Sequence, residues 1–290
     1  MIKQKSILLG FIVLTAATSN LSAQQQLTSN QNVWLLAAAN PAAIGNQSGT
    51  NLQALYRKNW TQAESSPSQL FCRIENSTDK QGADVKLQQY KNQFYERTEI
   101  KAGYKYKLQI DEQQFISVGL RFGFLQSRYN VTSLHAQHPD ENILLQNSQQ
   151  NFSPISDFGV LYTSRNFNAS FVAQNYGFKS QIYAQNILRE LPHFTIQISQ
   201  RFQLSRITLT PILQTGSSLG LPLISDISLL AERKQKLGLQ CGFKSSKVAY
   251  LSMRYFTTNH LAIAIGFDYP FATSRYMGYG NEMAMYYFSK

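Results

Sequence analysis

Two consecutive segments of the chain alternate apolar and polar residues over a length that is unusual for a water-soluble sheet. The apolar positions of Thr98–Ile110 are Ile100, Ala102, Tyr104, Tyr106, Leu108 and Ile110. After the short stretch Asp111–Gln113, the pattern resumes at Ile116, Val118, Leu120, Phe122 and Phe124. Alternate residues of a strand point to opposite faces, and a tilted strand needs about 9–11 residues to cross a bilayer. The pattern therefore predicts a membrane-spanning hairpin with one apolar and one polar surface.

The same period of two recurs along the chain and predicts fourteen strands in total. The others are Asn51–Trp60, Ser68–Asn76, Gly82–Tyr90, Ser156–Ser164, Phe167–Asn175, His193–Gln203, Arg206–Gln214, Ile224–Arg233, Lys236–Lys244, Lys247–Thr257, His260–Tyr269 and Asn281–Phe288. Connections after even-numbered strands are short. Six of the seven that follow odd-numbered strands have seven or more residues, among them Lys91–Arg97, and Ser245-Ser246 is the exception. Outer-membrane barrels sort their connections in this way, so we predict an all-β, closed antiparallel transmembrane barrel with a polar interior.

The first 23 residues have the order of a secretory signal peptide. Lys3 and Lys5 precede the apolar stretch Ser6–Ala17, and Leu21–Ala23 ends in a small residue suited to cleavage. The apolar stretch is shorter than the roughly 20 residues of a membrane-spanning helix. We therefore predict export and removal of residues 1–23, followed by an N-terminal segment, 24–50, that is a candidate plug for the barrel of residues 51–290.

The charge of the chain excludes some functions and leaves others open. There are 27 Lys and Arg residues against 16 Asp and Glu, and removal of Lys3 and Lys5 leaves an excess of 25 − 16 = +9. Charged residues make up only 15% of the chain and are dispersed, which argues against nucleic-acid binding. Three interpretations remain: a lumen that favours anions, a positive rim in contact with anionic outer-leaflet lipid, and a hydrated polar lumen. We favour the hydrated lumen.

One short motif resembles the nucleophile site of a serine hydrolase. Gly216–Gly220 matches G-x-S-x-G, with Ser218 in the position of the nucleophile. A nucleophile elbow requires a strand followed by a helix, whereas Leu221-Pro222 here leads into another predicted strand. We therefore expect no enzymatic activity, and a surface esterase that uses Ser218 is the minor alternative.

Histidines offer little support for a metal or cofactor site. His135, His138 and Asp140 have a spacing that could hold a metal, but they lie in a long polar loop without a further ligand signature. His193 and His260 begin predicted strands and have no partner spacing. We predict no metal and no cofactor.

Isolated residues within the predicted strands have simple structural interpretations. Asp226 and Asp268 are expected to face the lumen or to lie at the membrane boundary. Cys72 and Cys241 are expected to be small buried residues, with their pairing left open. Candidates for the aromatic girdles at the membrane surfaces are Tyr56, Trp60, Tyr104, Tyr106, Tyr286 and Tyr287.

Short motifs are distributed over the whole predicted mature chain. They are Asn40–Gly45, Leu55–Trp60, Ser66–Ser68, Pro154 with Asp157–Tyr162, Leu209–Leu213, Ala264–Pro270 and Gly278–Phe288. Together they resemble the motifs of PorP/SprF proteins of the type IX secretion system. The chain departs from the family pattern at Asn281, where the family usually has His before Glu282, and in the degenerate glycine-rich strand at Ala83–Gln88.

The resemblance implies an outer-membrane barrel that helps secreted proteins reach or remain on the cell surface, often with gliding adhesins. It implies that external loops or the barrel mouth bind the C-terminal domain of a secreted protein, while periplasmic or peptidoglycan-linked components attach below. Binding residues concentrate on loops carried by rigid scaffolds, so the candidate partner-binding loops are Ser127–Ile155 and Tyr176–Pro192. The alternative is a passive, porin-like transporter for small solutes.

Overall fold

The computed structural model describes most of the chain after the predicted signal peptide. Its residues are 29–31, 34–45, 48–59, 61, 66–93, 95–129, 150–177, 191–218, 221–233, 236–271 and 278–289. Within them the structure is all-β, apart from the short helix α1 (Leu36–Ala39) and a 3-10 turn at Pro41–Ala43. Neither helix in this part of the chain has the length and apolar character needed to cross a membrane. The predicted signal peptide, residues 1–23, lies outside the described residues.

The strand segments form one antiparallel sheet that closes on itself. They are β1 (Gly49–Lys58), β2 (Ser68–Ser77), β3 (Gln81–Lys91), β4 (Tyr95–Asp111), β5 (Gln114–Tyr129), β6 (Gln150–Thr163), β7 (Phe167–Gly177), β8 (His193–Gln200), β9 (Phe202–Leu204), β10 (Ile207–Ser218), β11 (Ile224–Arg233), β12 (Leu237–Lys244), β13 (Val248–Phe256), β14 (Leu261–Pro270) and β15 (Gly280–Phe288). Closure comes from the pairing of β15 with β1 and of β10 with β11. Because β8 and β9 both pair with β10 on either side of Arg201, they form one barrel strand. The described residues therefore form a 14-stranded barrel, which confirms the predicted fold.

The two faces of the barrel wall differ as the alternation predicts. On β4, Ile100 and Tyr104 are each 51% exposed on the outer face, whereas Lys101 and Lys105 are 1% and 2% exposed on the inner face. Backbone groups that lack partners in hydrocarbon cost several kcal/mol each, so a sheet with an apolar outer surface is stable in a bilayer only when it closes.

The tyrosines expected in the aromatic girdles divide between the two faces. Tyr287 is 46% exposed on the outer face, but Tyr286 is fully buried inside the barrel, so its assignment to a girdle is wrong. Adjacent residues of a strand point to opposite faces, and these two therefore cannot both contact lipid. The other described candidates, which are exposed on the outer face, are Tyr56, Tyr104 and Tyr106. Trp60 lies outside the described residues.

Both cysteines are free and lie on the outer face of the wall. Cys241 on β12 is exposed and Cys72 on β2 is only half-buried, so the expectation that both are buried is wrong. Strands β13, β14, β15 and β1 separate the two positions. An outward thiol in a membrane barrel contacts lipid instead of a protein core, which is compatible with its weakly polar character.

The connections differ in length between the two ends of the barrel. The short-turn end carries the turns after β2, β4, β6, β9, β11 and β13, which extend from two residues at 112–113 to four at 257–260. The long-loop end carries the long connections 59–67, 130–149, 178–192 and 271–279 together with three shorter ones, 92–94, 219–223 and 245–247. Two predicted long loops are wrong. Lys91–Arg97 is reduced to residues 92–94 because β3 and β4 continue into it, and Thr215–Leu223 is reduced to 219–223 because β10 continues to Ser218.

Candidate functional site: the N-terminal segment in the lumen

The described part of the N-terminal segment, residues 29–31 and 34–45, lies inside the barrel. At the long-loop end, the Ser29 hydroxyl donates a hydrogen bond to Glu282 Oε1 at 2.8 Å. At the short-turn end, the Gly45 amide donates to Glu75 Oε2 at 2.9 Å. The segment therefore passes along the lumen from the long-loop end to the short-turn end, where β1 begins at Gly49. We call these residues the luminal segment.

An ion cluster at the long-loop end holds the start of the luminal segment. Arg57 on β1 pairs with Asp268 on β14 and, at 2.8 Å, with Glu282 on β15. The Asn30 backbone amide donates to Glu282 Oε2 at 3.1 Å, and its side-chain amide donates to Asp268. The ammonium group of Lys244 donates to Asn30 Oδ1 at 2.8 Å. Both ends of the Asn30 side chain are thus bound to charged groups of the wall, which makes these hydrogen bonds strong.

An apolar patch inside the barrel receives the next turn of the luminal segment. Trp34 and Leu35 pack against it, and both are buried. The Arg254 guanidinium lies 4.7 Å from the centre of the Trp34 ring, and Trp34 Nε1 donates to Glu232 at 3.3 Å. The wall residues of the patch are Leu55, Phe71, Ile212, Leu230, Ala262, Ala264, Ala284 and Tyr286. The sequence predicted a polar interior. The apolar patch departs from that prediction, and the luminal segment shields the patch from water.

A buried arginine of the wall binds the end of helix α1. Arg121 is fully buried and pairs with Asp84 at 2.5 Å. Its guanidinium also donates to the carbonyl of Ala37 and, at 3.3 Å, to that of Ala38. The last carbonyls of a helix have no partner within the helix, so an external donor is required when that end is buried. Arg121 provides this donor, and Asp84 balances its charge.

The Asn40 side chain connects the luminal segment to β6 and β7. Its amide nitrogen donates to Ser170 Oγ at 2.8 Å and to the carbonyls of Val160 and Phe171 at 3.2 and 3.3 Å. Its amide oxygen caps the 3-10 turn by accepting from the Ala42 backbone amide at 2.8 Å. Asn40 therefore fixes the turn conformation and its position on the wall at the same time.

Two wall glycines allow the segment to approach the backbone of β5 and β6. A Cβ atom at Gly159 would overlap Asn40 Oδ1, and one at Gly119 would overlap the Pro41 carbonyl group. The absence of a side chain at these positions is thus a packing requirement. Two of the short sequence motifs, Asn40–Gly45 and Asp157–Tyr162, are in direct contact here.

Most charged groups of the lumen are paired with each other. Besides the clusters above, the described ion pairs include Lys101 with Asp157 at 2.8 Å, Lys86 with Glu99 at 2.9 Å and Arg73 with Glu75 at 3.0 Å. These cations already have carboxylate partners, so the pairing does not support a lumen that favours anions. Asp226, whose carboxylate accepts from the Tyr250 hydroxyl at 2.9 Å, faces the lumen as expected, and so does Asp268.

The register of β8 and β10 brings His193 opposite Ser218. His193 Nδ1 and Ser218 Oγ are 3.0 Å apart, although the sequence suggested no partner for His193. Strand register cannot be read from residue spacing, so this contact was not foreseen. Ser218 ends the strand β10, and Leu219 and Gly220 of the motif lie outside the described residues. Among the described residues no carboxylate binds the His193 ring to complete a triad.

The remaining candidate residues lie largely beyond the described part of the chain. His135, His138 and Asp140 are outside it, and the described residues contain no group of three metal-ligating side chains. The second isolated histidine, His260, contacts the Phe288 carbonyl through Nδ1 at 2.8 Å.

The candidate partner-binding loops are shorter than their predicted ranges. Ser127, Ile155 and Tyr176 belong to the strands β5, β6 and β7. The central parts of the two loops, 130–149 and 178–190, lie outside the described residues.

Comparison with solved structures shows what this barrel is similar to. The CymD monoaromatic hydrocarbon channel has a TM-score of 0.54 at 9% identity, with 92% of this chain and 94% of that chain covered. The toluene transporter TodX of Pseudomonas putida has a TM-score of 0.51 at 9% identity, with 92% and 95% covered. At these identities the likeness concerns the fold alone. No curated protein sequence matches the chain.

The family model of the type IX secretion system membrane protein PorP/SprF matches residues 17–284. The match includes the luminal segment and the wall motifs that contact it, and it confirms the resemblance seen in the sequence. The chain therefore belongs to the PorP/SprF family and is an outer-membrane β-barrel of type IX secretion.

Proposed function

We propose that this barrel anchors a secreted surface protein at its long-loop mouth and does not conduct solutes as an open pore. The observation that carries the proposal is the occupied lumen, in which the luminal segment contacts the wall between Glu282 and Glu75. A filled, ion-paired interior suits a rigid binding platform better than a channel. The partner is the C-terminal domain of a secreted protein, with gliding adhesins as the expected class, and periplasmic components attach at the short-turn end.

The bases of the two candidate binding loops are joined by a buried cluster. Lys101 Nζ contacts Asp157 Oδ1 on β6 and Asn175 Oδ1 on β7, both at 2.8 Å. Asp157 Oδ1 also accepts from the Asn175 backbone amide at 2.9 Å. These contacts fix one of the two strands that carry each loop, β6 for Ser127–Ile155 and β7 for Tyr176–Pro192, and so give each loop a rigid support on that side.

Shortening of the loops tests the anchoring function. Residues 130–149 and 178–190 are replaced, separately and together, by short Gly-Ser linkers, and surface proteins that co-purify with the barrel are quantified. We expect the double replacement to lose the secreted partner while the barrel folds normally. A variant with an altered short turn at 257–260 is the control. Retention of the partner without both loops would contradict the proposed binding mode.

A passive transporter is the alternative, supported by the barrel fold that this chain shares with hydrocarbon channels. Planar-bilayer recordings distinguish the two functions. We expect the wild type to show no steady conductance and a variant lacking residues 29–45 to conduct. Steady conductance of the wild type would instead favour the transporter.

We also propose that the protein has no catalytic role. The Ser218–His193 contact is the feature most similar to a catalytic site, but it lies between two paired strands and not at a nucleophile elbow. We expect the wild type and Ser218→Ala to give the same background rate with short-chain esters. Hydrolysis that the substitution abolishes would identify a surface esterase.

A further inference from the structure

The short-turn end carries a row of cations on one side of the barrel. Its members are exposed and lie in or beside three successive turns, between β6 and β7, between β9 and β10, and between β11 and β12. They are Arg165, Arg201, Arg206, Arg233 and Lys236. Arg201, between β8 and β9, is next to the first of these turns, because its backbone amide donates to the Asn166 carbonyl at 2.7 Å. We call these residues the basic rim.

The basic rim has no compensating acids in the described residues of its turns. Glu232 is the nearest carboxylate in the sequence, but it is directed to the lumen, where it pairs with Arg254 at 2.7 Å. The opposite side of the same end differs, because acidic residues accompany its cations. That side contains Asp79, Lys80, Lys107, Asp111 and Glu112. The charge of the short-turn end is therefore asymmetric around the barrel axis.

Apolar side chains on the outer face accompany the basic rim. Phe202, Leu204 and Ile207 in the β9–β10 hairpin are 48%, 54% and 45% exposed. Arg206 precedes Ile207 in the chain, and Arg233 is the cross-strand partner of Ile207. The cations thus lie where the apolar belt ends, which is the level of lipid headgroups in a membrane barrel.

We propose that the basic rim binds the phosphate groups of anionic phospholipids in the leaflet that faces the short turns. Guanidinium groups form paired hydrogen bonds with phosphate oxygens, and the adjacent apolar side chains fit the acyl region. The apolar residues favour lipid over an acidic soluble protein, because they place the adjacent cations at the depth of the lipid headgroups. Binding on one side would orient the barrel in the bilayer.

The proposal is tested by lipid exchange at the surface of the purified full barrel in phosphatidylcholine vesicles. Spin-labelled phosphatidylglycerol and phosphatidylcholine are compared, and the fraction immobilised at the protein gives the relative affinity. We expect the wild type to prefer phosphatidylglycerol and high salt to weaken the preference. The variant Arg206→Gln/Arg233→Gln should reduce the preference for phosphatidylglycerol by up to about fivefold for each cation removed.

The variant Lys80→Gln/Lys107→Gln is the matched control, because it removes two cations from the same end but from the acid-rich side. It should retain most of the preference. Heat-modifiable migration on gels verifies that every variant is folded. Absence of a preference in the wild type, or equal effects of the two double variants, would overturn the proposal. If the wild type showed no preference, an acidic soluble partner would remain as the ligand of the basic rim.

Discussion

Arg57 and Asp268 form a buried ion pair although their strands, β1 and β14, are not neighbours in the barrel. Strand β15 lies between them and contributes Glu282, whose carboxylate contacts the same guanidinium at 2.8 Å. The ion pair therefore reaches over the intervening strand on the luminal face of the wall and does not join two strands that are paired directly. Because Asn30 binds both carboxylates, the cluster connects the closure of the barrel to the position of the luminal segment.

Substitution of Arg57 by Gln should destabilise the barrel. Two buried carboxylates would lose their cation, and removal of one partner from a buried ion pair costs about 3–5 kcal/mol. Urea unfolding of the reconstituted barrel, followed by tryptophan fluorescence, measures the change in the free energy of unfolding. Lys58→Gln, which removes an exposed charge from the adjacent position, should have little effect. Equal stability of the two variants would refute the structural role of the cluster.

Gly159→Ala should release the luminal segment without unfolding the barrel. The added Cβ overlaps Asn40 Oδ1, and the wall backbone cannot move away because its strand is paired on both sides. The chain has two tryptophans, so Trp34 can be observed alone in a Trp60→Phe background. We expect its emission to shift to longer wavelength as the ring leaves the apolar patch.

The matched control for Gly159→Ala is Gly177→Ala. An added Cβ at Gly177 meets the Pro154 carbonyl oxygen at 3.9 Å, an ordinary contact distance. Its Trp34 emission should equal that of the parent. The same emission in both glycine variants would show that the segment does not depend on close approach to β6.

The wall of the barrel could be predicted from the sequence because membrane strands impose a local rule. Lys101 and Ile100 occupy opposite faces, as the period of two requires. Strand ends were less accurate. The sequence alternation stops before the hairpin of β3 and β4 ends. Polar residues beyond it still form backbone pairs in the sheet, as Lys91 does with Glu96, so the two strands extend into the predicted loop.

Contacts within the lumen depend on register and could not be predicted. Motifs around Asn40 and Asp157 were visible in the sequence, but their meeting at Gly159 requires the fold. The pairing of His193 with Ser218 follows from the alignment of β8 and β10 in the same way. A sequence shows which face a residue occupies, whereas the partner across a barrel is set by strand number and stagger.

Asn40→Asp replaces only the side-chain amide nitrogen by oxygen, but it should clearly weaken the attachment of the luminal segment to the wall. The carboxylate retains the acceptor for the Ala42 amide but places negative charge against the carbonyls of Val160 and Phe171. Loss of a donor beside buried acceptors costs about 1–3 kcal/mol, and the added charge increases the cost. Limited proteolysis of the folded barrel measures exposure of the segment.

Ser170→Ala is the comparison for Asn40→Asp, since it removes one of the acceptors of the Asn40 amide and introduces no charge. Cleavage within residues 29–45 should be faster for Asn40→Asp than for Ser170→Ala. The reverse order would indicate that the hydroxyl contact, and not the carbonyl contacts, determines the attachment.

The direction of the luminal segment predicts which side of the membrane can reach each of its ends. Ser29 contacts Glu282 at the long-loop end, whereas Ser48 is exposed at the short-turn end and contacts Asp79. In a background that lacks both native cysteines, Ser29→Cys should react with a membrane-impermeant maleimide on intact cells. Ser48→Cys should react only after the outer membrane has been permeabilised. Each variant is the control for the other. Labelling of Ser48→Cys alone on intact cells would show that the barrel has the opposite orientation. Equal labelling of both would contradict a luminal segment that runs from one end of the barrel to the other.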